Sequence, residues 1–182
     1  MQTAKRQVRF TYQDYLHIPG DKRYEIINGD LHMTPAPLIT HQKVVANLVR
    51  ALDRFIEEKK LGKLLFAPVD IVLSEEDVVQ PDILFITQER LDILTDKNVR
   101  GAPDLVVEVL SPSTREWDRE FKRKLYEKFG VREYWIVDLS AQSIEVLQMT
   151  DAGFKTTRVY TQGTHLASPL LKNFSLAIGD VF

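Results

Sequence analysis

The front half of the chain has apolar spacings that predict two helices and a hairpin. From about His41 to Lys60 apolar residues recur at helical spacing, and Gly62 is expected to end this helix. Asn28-Gly29 separates two short apolar runs within residues 24–33, and this dipeptide is typical of a two-residue β-hairpin turn. A shorter helix is predicted over residues 11–16. The N-terminal part is therefore expected to combine helices with an antiparallel hairpin.

The middle and the C-terminal part contain further strand patterns. β-Branched and aliphatic residues predict one strand from Leu64 to Leu73 and another from Val78 to Ile86. Residues 143–148 and 154–161 predict a second hairpin, and a short helix is expected near residues 89–94. These segments add antiparallel pairs to the fold.

A strand, a helix and a second strand follow one another between residues 103 and 138. Residues 103–112 form the most apolar segment of the chain and are bounded by prolines, which predicts a central strand covered on both faces. Ser113 is expected to cap the helix, whose inward face would carry an apolar stripe at every fourth position, namely Trp117, Phe121, Leu125 and Phe129. This order implies parallel pairing through a right-handed crossover. We therefore predict an α/β fold with a mixed sheet flanked by helices, an N-terminal hairpin and a C-terminal antiparallel hairpin.

Composition narrows the class of protein. The 182 residues favour one domain, and 44% hydrophobic with 27% charged residues allow a sizeable core. The net charge of −2 argues against general electrostatic attraction to nucleic acid, so a phosphate-binding surface would have to be a local patch. The absence of cysteine excludes zinc–thiolate sites and cysteine nucleophiles. Without a signal sequence or a long apolar stretch, a soluble cytoplasmic protein is expected. Residues 170–182 are apolar enough to cover either the core or a partner chain.

Glu108 is the one carboxylate inside the apolar run of the central strand. Burying an ionised carboxylate is costly unless a cation or a hydrogen-bonding partner accompanies it, and a structural ion pair is one explanation. Asp104 would lie about 13 Å from Glu108 on the same face, too far to share an ion. If the strand that follows Pro81 neighbours the central strand, Asp82 and Glu108 can come within about 5 Å. Two carboxylates at that distance, with oxygen ligands only, favour Mg²⁺ or Mn²⁺.

Two lysines of the following helix could approach these carboxylates. Lys122 and Lys124 flank the apolar stripe on opposite sides, and either side chain could extend along the core boundary. Asp118, Lys122 and Tyr126 are spaced four apart on one helix edge, so neighbours could form hydrogen bonds. A solvated, salt-bridged helix face is the alternative explanation of this spacing.

These residues lie in segments that resemble a known family over nearly the whole chain. Tyr24–Gly29, Pro81–Ile83, Ala102–Ser113, the Asp118, Lys122 and Tyr126 triplet and Gly130–Asp138 are similar, in this order, to the Uma-two family of bacterial restriction-endonuclease-like proteins. That family is a branch of the PD-(D/E)xK nuclease superfamily. The resemblance implies one restriction-endonuclease-like nuclease domain over residues 1–182.

The resemblance also implies roles for individual residues. Asp82, Glu108 and the Val109 carbonyl would bind Mg²⁺ (or Mn²⁺) for phosphodiester hydrolysis. The superfamily lysine is expected two residues after the glutamate, where this chain has Leu110; in the Uma-two branch the lysine lies on the following helix, and Lys122 fits that spacing better than Lys124. Lys122 would orient the attacking water or neutralise charge at the phosphate.

Two further residues have family-like positions and open alternatives. Glu25 could complete the outer shell of the metal, although periodicity alone makes it equally an exposed hairpin residue. His41, at the start of a predicted helix, could contact a phosphate, but a helix-capping or surface histidine is an equal alternative.

The sequence leaves more than one function open. The first hypothesis is a Mg²⁺-dependent endonuclease with DNA as its partner, and a homodimer is a further candidate assembly. The alternative is a catalytically silent module that keeps the nuclease fold for DNA binding or oligomerisation. A metal-independent acid–base hydrolase using Asp82 and Glu108 has little support, because features for binding a sugar or a peptide are not evident.

Overall fold

The computed structural model describes residues 8–19, 22–111 and 117–182, with the backbone alone at 117 and 118. Its helices are α1 (Tyr12–Tyr15), α2 (Ile39–Lys59) and α3 (Arg123–Lys128), with a π-helical segment (Trp117–Lys122) directly before α3 and 3₁₀ segments at Gln88–Ile93 and Ile178–Asp180. Its strands, in chain order, are β1 (Arg23–Ile27), β2 (Asp30–Thr34), β3 (Gly62–Phe66), β4 (Ile71–Ser74), β5 (Asp77–Val79), β6 (Ile83–Thr87), β7 (Val99–Arg100), β8 (Leu105–Leu110), β9 (Glu133–Asp138), β10 (Ser143–Thr150), β11 (Gly153–Tyr160), β12 (His165–Leu166) and β13 (Leu176–Ala177). None of the described helices combines the length and the apolar character that crossing a membrane requires.

Within the described residues the strands form two larger sheets and one pair. The six-stranded sheet has the order β11-β10-β9-β8-β6-β3, and the five-stranded sheet has the order β2-β1-β5-β4-β7. β8 and β9 pair in parallel, and the segment between them contains α3, as predicted for the strand–helix–strand unit. The predicted mixed sheet with flanking helices and two antiparallel hairpins is confirmed.

The six-stranded sheet is covered on both faces, which explains the continuous apolar sequence of β8. Odd-numbered positions such as Val107 pack in one cluster with the apolar side of α2, and even-numbered positions such as Val106 pack in the other with α3 and the five-stranded sheet. The C-terminal segment covers the first face, where Leu171 and Phe174 join the core. Glu108 is an even-numbered position of β8. Its side chain therefore belongs to the face between the two sheets.

The β1–β2 hairpin forms where the Asn28-Gly29 dipeptide predicted it. Both turn residues have positive φ (50° and 77°), as a turn with the twist of the flanking strands requires. The resulting register pairs Glu25 with His32. This pairing fixes which side chains of the hairpin face the six-stranded sheet.

Two predicted strands, 64–73 and 78–86, are wrong as continuous elements. Each is divided into two short strands that lie in different sheets: β3 and β4 in the first case, β5 and β6 in the second. Pro68 and Pro81 lie in the two breaks, and proline cannot donate a ladder hydrogen bond. The prolines therefore mark the points where the chain passes from one sheet to the other.

Two helix predictions also need correction at their ends. The helix predicted to end at Gly62 ends at Lys59, and Lys60 takes the left-handed conformation with φ of 54°. Gly62 is instead the first residue of β3, where an added Cβ would overlap the carbonyl oxygen of Ile86. The short helix near residues 89–94 is a 3₁₀ segment beginning at Gln88.

The predicted apolar stripe of the helix after β8 is wrong at Phe121. Phe121 is 48% exposed, whereas Lys122 and Tyr126 are buried. Residues 117–122 form π-helical turns, which contain more residues per turn than an α-helix and so shift the inward face away from a four-residue stripe. Ser113, the predicted cap, and the side chain of Trp117 lie outside the described residues.

Asp104 has arginine partners at the opposite end of β8 from Glu108. Its Oδ2 accepts the Thr87 N–H at 2.8 Å, and its Oδ1 accepts the guanidiniums of Arg90 at 2.9 Å and Arg132 at 3.2 Å. Burial by itself raises the pKa of Asp104, but the Thr87 hydrogen bond and the two arginines outweigh it and lower the pKa. Asp104 therefore has a structural role, joining the ends of β6, β8 and β9.

Asp104→Asn should lower the free energy of unfolding by about 1–3 kcal/mol at neutral pH, because it removes charge-assisted hydrogen bonds from a buried group. A lowered pKa in the folded protein stabilises it above the unfolded value near 3.8, and this contribution is lost as the pH falls through the folded pKa. Urea unfolding at pH 7 and near pH 3 should therefore show a smaller difference between the two proteins in acid. The exposed Asp96→Asn is the control, and a difference that does not depend on pH would contradict the assignment.

Candidate active site

Asp82 and Glu108 lie level with each other at one end of the β6–β8 pair. These strands are antiparallel with Ile83 opposite Val107, so Asp82, one residue before β6, faces the position of Glu108. The backbone N–H of Val109 donates to Asp82 Oδ2 at 2.8 Å. The strand containing Asp82 thus neighbours the central strand, which was the condition for the two carboxylates to act together.

The ammonium of Lys122 lies between two glutamates from different sheets. Its Nζ is 2.9 Å from Glu108 Oε1, on β8, and 3.0 Å from Glu25 Oε1, on β1. All three residues are buried. The alternative explanations of a solvated helix face for Lys122 and of an exposed hairpin residue for Glu25 are therefore wrong. Lys124, the other candidate lysine, is exposed.

Each of these glutamates also accepts a hydrogen bond from a neighbouring group. The backbone N–H of Gln80 donates to Glu25 Oε1 at 2.8 Å, and the Tyr126 hydroxyl donates to Glu108 Oε1 at 2.7 Å. Burial, and then the nearby Glu108 and Glu25 carboxylates, raise the pKa of Tyr126 well above its usual value. The hydroxyl therefore stays protonated and remains a donor to Glu108. The side chain of Asp118, the third member of the predicted helix edge, lies outside the described residues.

His41 contacts Asp82 from the α2 side of the sheet. It lies in the first turn of α2, is 7% exposed, and has its Nε2 3.1 Å from Asp82 Oδ2. A carboxylate oxygen accepts, so Nε2 is the nitrogen that donates. His41 is thus neither a surface residue nor the helix cap, which is Leu38. Within the described part of the chain Nδ1 has no hydrogen-bond partner, and such a buried polar group costs about 1–3 kcal/mol.

One cavity of about 540 Å³ is lined by the residues of this site, including His41 and Asp82. Among the described residues its charged lining side chains are Arg23, Glu25, Asp82, Glu108 and Lys122, and the mainly apolar segment 33–38 lines it as well. Burial lowers the pKa of His32, another lining residue, so this imidazole adds no charge at neutral pH. Among the described lining residues, three carboxylates therefore face two cationic side chains. This excess of negative charge favours the binding of a further cation.

The donor set of the cavity suits a hard divalent cation. Asp82 uses Oδ2 for both of its contacts, and within the described residues its Oδ1 accepts no hydrogen bond. The Asp82 side chain is 17% exposed, so a ligand can reach it. The described residues contain no group of three or more His, Asp or Glu side chains placed to hold a metal. Mg²⁺ commonly keeps several waters and needs only one or two protein carboxylates, and Asp82 and Glu108 both line this cavity.

Three of the polar lining residues, His32, Arg23 and Gln80, were not predicted as site residues. His32 could have been found from the Asn28-Gly29 turn, because a two-residue turn at that position places residue 32 opposite Glu25. Arg23, on the same hairpin, donates to the Gln80 side chain at 2.8 Å. Gln80 acts on Glu25 through its backbone N–H, and no side-chain pattern could have indicated this.

Comparison with solved structures shows the fold. A protein from Anabaena variabilis ATCC 29413, described as "a putative nuclease belonging to DUF820", matches with a TM-score of 0.79 over 95% of this chain and 97% of that chain. The two sequences are 19% identical, so the similarity concerns the fold alone. It confirms the predicted α/β architecture.

Comparison of the sequence with protein families extends over almost the whole chain. No curated protein matches it. The model of the Uma2 family, described as "Putative restriction endonuclease", matches residues 12–179. This span includes all four predicted catalytic residues, from Glu25 to Lys122. The chain therefore belongs to the Uma2 family, as the order of its sequence motifs indicated.

Proposed function

We propose that this protein is a metal-dependent DNA endonuclease that hydrolyses phosphodiester bonds, with residues 1–182 as a single nuclease domain. The observation that carries the proposal is the placement of Asp82 level with Glu108, with the Lys122 ammonium bonded to Glu108. Carboxylates from two adjacent strands beside a lysine are the groups that metal-assisted phosphodiester hydrolysis needs. Membership of the Uma2 family supports the same reaction class.

Asp82, Glu108 and the Val109 carbonyl would hold Mg²⁺ or Mn²⁺. In an extended strand the N–H and the C=O of one residue point to the same side. Because the Val109 N–H points to Asp82, its carbonyl is directed towards the same strand edge. The oxygen-only donor set and the excess negative charge of the cavity support this ligand assignment.

The surrounding residues would place the reacting groups. When bound, the divalent cation would polarise the scissile phosphate and favour ionisation of the attacking water. Lys122 would donate to that water or neutralise charge that develops on the phosphate. Glu25 holds the ammonium through a 3.0 Å contact and could also complete the outer shell of the metal. Tyr126 would keep Glu108 oriented by donating to Oε1.

DNA recognition would depend on few electrostatic contacts. The chain has a net charge of −2, and the cationic side chains among the described lining residues, Arg23 and Lys122, are already hydrogen-bonded or ion-paired. The affinity for DNA should therefore depend on salt less steeply than that of a protein with many phosphate contacts. The homodimer stays a prediction.

Mn²⁺ should stabilise the wild-type protein through ligand linkage. A free Mn²⁺ concentration of 100 times Kd stabilises the folded state by about 2.7 kcal/mol. For this chain length that corresponds to an increase in Tm of roughly 5–10 °C. Asp82→Ala should abolish the shift, while the exposed Asp96→Ala should retain it. Thermal unfolding with and without Mn²⁺ measures the effect. Each variant must be compared with its own metal-free sample, because removing one carboxylate relieves repulsion and changes the apo stability. Equal shifts in wild type and Asp82→Ala would contradict the assignment of Asp82.

Lys122→Met should lower the rate of DNA cleavage, since it removes the ammonium while keeping most of the side-chain volume. Lys124→Met is the matched control because Lys124 is exposed on the same helix, and it should alter only DNA affinity at low salt. Single-turnover cleavage of plasmid DNA with Mg²⁺ or Mn²⁺ distinguishes the two. The reverse ranking would transfer the role to Lys124. If the wild type cleaves no DNA or RNA with either metal, the silent nuclease-fold module becomes the better description.

Lys122→Met should also destabilise the metal-free protein by about 3–5 kcal/mol, because Glu25 and Glu108 lose their shared buried cation. Mn²⁺ should then raise Tm more in the variant than in the wild type, since the metal would replace the missing positive charge. Thermal unfolding across a Mn²⁺ titration measures this difference. An equal or smaller Mn²⁺ effect in the variant would show that the metal and the ammonium do not share the same carboxylates.

A further inference from the structure

His41 joins the helical layer to the candidate metal centre. Its α2 position is set by the core, where Val44, Leu48 and Leu52 of the same helix pack against the six-stranded sheet. From this fixed helix the imidazole Nε2 reaches Asp82 Oδ2 at 3.1 Å. The contact therefore makes the orientation of the Asp82 carboxylate depend on the position of helix α2.

Two donors from different elements meet at the same oxygen of Asp82. The Val109 N–H comes from β8 at 2.8 Å and the His41 imidazole comes from α2 at 3.1 Å. The N–H alone would allow the carboxylate to rotate about that hydrogen bond. With both donors on Oδ2, the direction of Oδ1 is fixed as well. Oδ1 is the oxygen that accepts no hydrogen bond within the described residues.

Fold stability gives little reason for a histidine at this position. His41 is 7% exposed, and within the described part of the chain its Nδ1 has no hydrogen-bond partner. An apolar side chain of similar size would fill the space without an unsatisfied buried nitrogen. What the imidazole supplies, and an apolar residue cannot, is the hydrogen bond to Asp82.

We infer that His41 is a positioning residue, which holds the Asp82 carboxylate so that Oδ1 faces the cleft as a ligand for a divalent cation. The inference rests on the proposed role of Asp82 as a metal ligand. His41 acts through Asp82, and its ring need not contact the metal or the substrate. Residues that hold a metal ligand by a hydrogen bond typically contribute about 10- to 100-fold to metal affinity.

The test measures the Kd for Mn²⁺ alone by titrating the 182-residue chain. The electron paramagnetic resonance signal of unbound Mn²⁺ gives the free concentration at each step. His41→Ala and the more volume-conserving His41→Leu should weaken binding by about 10- to 100-fold. His41→Gln should retain most of the affinity, because its amide nitrogen can donate from the place of Nε2. Val45→Ala is the control for a loosened helix, since Val45 is buried in α2 one turn after His41.

Each result decides the inference. Weaker Mn²⁺ binding in His41→Ala and His41→Leu would support it, provided that His41→Gln retains the affinity and that Val45→Ala leaves the Kd unchanged. If His41→Ala does not fold, His41→Leu decides. An unchanged Kd in the Ala and Leu variants would overturn it while leaving Asp82 as a ligand. Equal weakening in His41→Ala and Val45→Ala, or in His41→Gln and His41→Ala, would also overturn it, since the donor would then not be the cause. If the wild type itself binds no Mn²⁺, the metal centre of the proposed function fails and the inference falls with it.

Discussion

The contact of the Lys122 ammonium with Glu25 and Glu108 joins the main layers of this structure. Glu25 belongs to the five-stranded sheet, Glu108 to the six-stranded sheet, and Lys122 to the π-helical segment that leads into α3. Separating a buried charge from its partner is costly, so these three side chains strongly favour one arrangement of the two sheets and the helix. The Gln80 N–H and the Tyr126 hydroxyl complete the arrangement by hydrogen bonding to the glutamates. Glu25, Glu108 and Lys122 all line the cavity, so this arrangement of charges forms part of its wall.

Features with a local cause could be predicted from the sequence. The Asn28-Gly29 turn specified both the β1–β2 hairpin and its register, because both residues take positive φ. The apolar run of β8 reflects burial on two faces, and this burial made Glu108 conspicuous. That Glu108 would have a partner was predictable for the same reason: a charge among apolar residues needs a partner nearby, and the Lys122 ammonium is one. The mixed sheet and the strand–helix–strand unit follow from the order of such segments.

Features that depend on distant parts of the chain could not be predicted. The six-residue π-helical segment places Lys122 and Tyr126 inward and leaves Phe121 exposed, although the sequence spacing suggests an α-helical stripe. The burial of Glu25 depends on β1 lying against a second sheet, which its own hairpin does not reveal. His41 meets Asp82 only because α2 packs across the six-stranded sheet. For Glu25 and His41 the deciding contact comes from residues far apart in the sequence.

Pro81 has a consequence for where the two sheets separate. The backbone carbonyl of Asp82 accepts the Ala67 N–H at 3.0 Å, but the preceding residue is a proline and has no N–H to give. The hydrogen-bonded ladder therefore cannot extend from β6 back through residue 81 towards β5, and the two sheets cannot merge across the carboxylates. A sheet edge maintained by side-chain packing would shift as its neighbours changed. Here the limit is a covalent property of the backbone, so the break between the two sheets beside Asp82 should persist even where the residues around it vary.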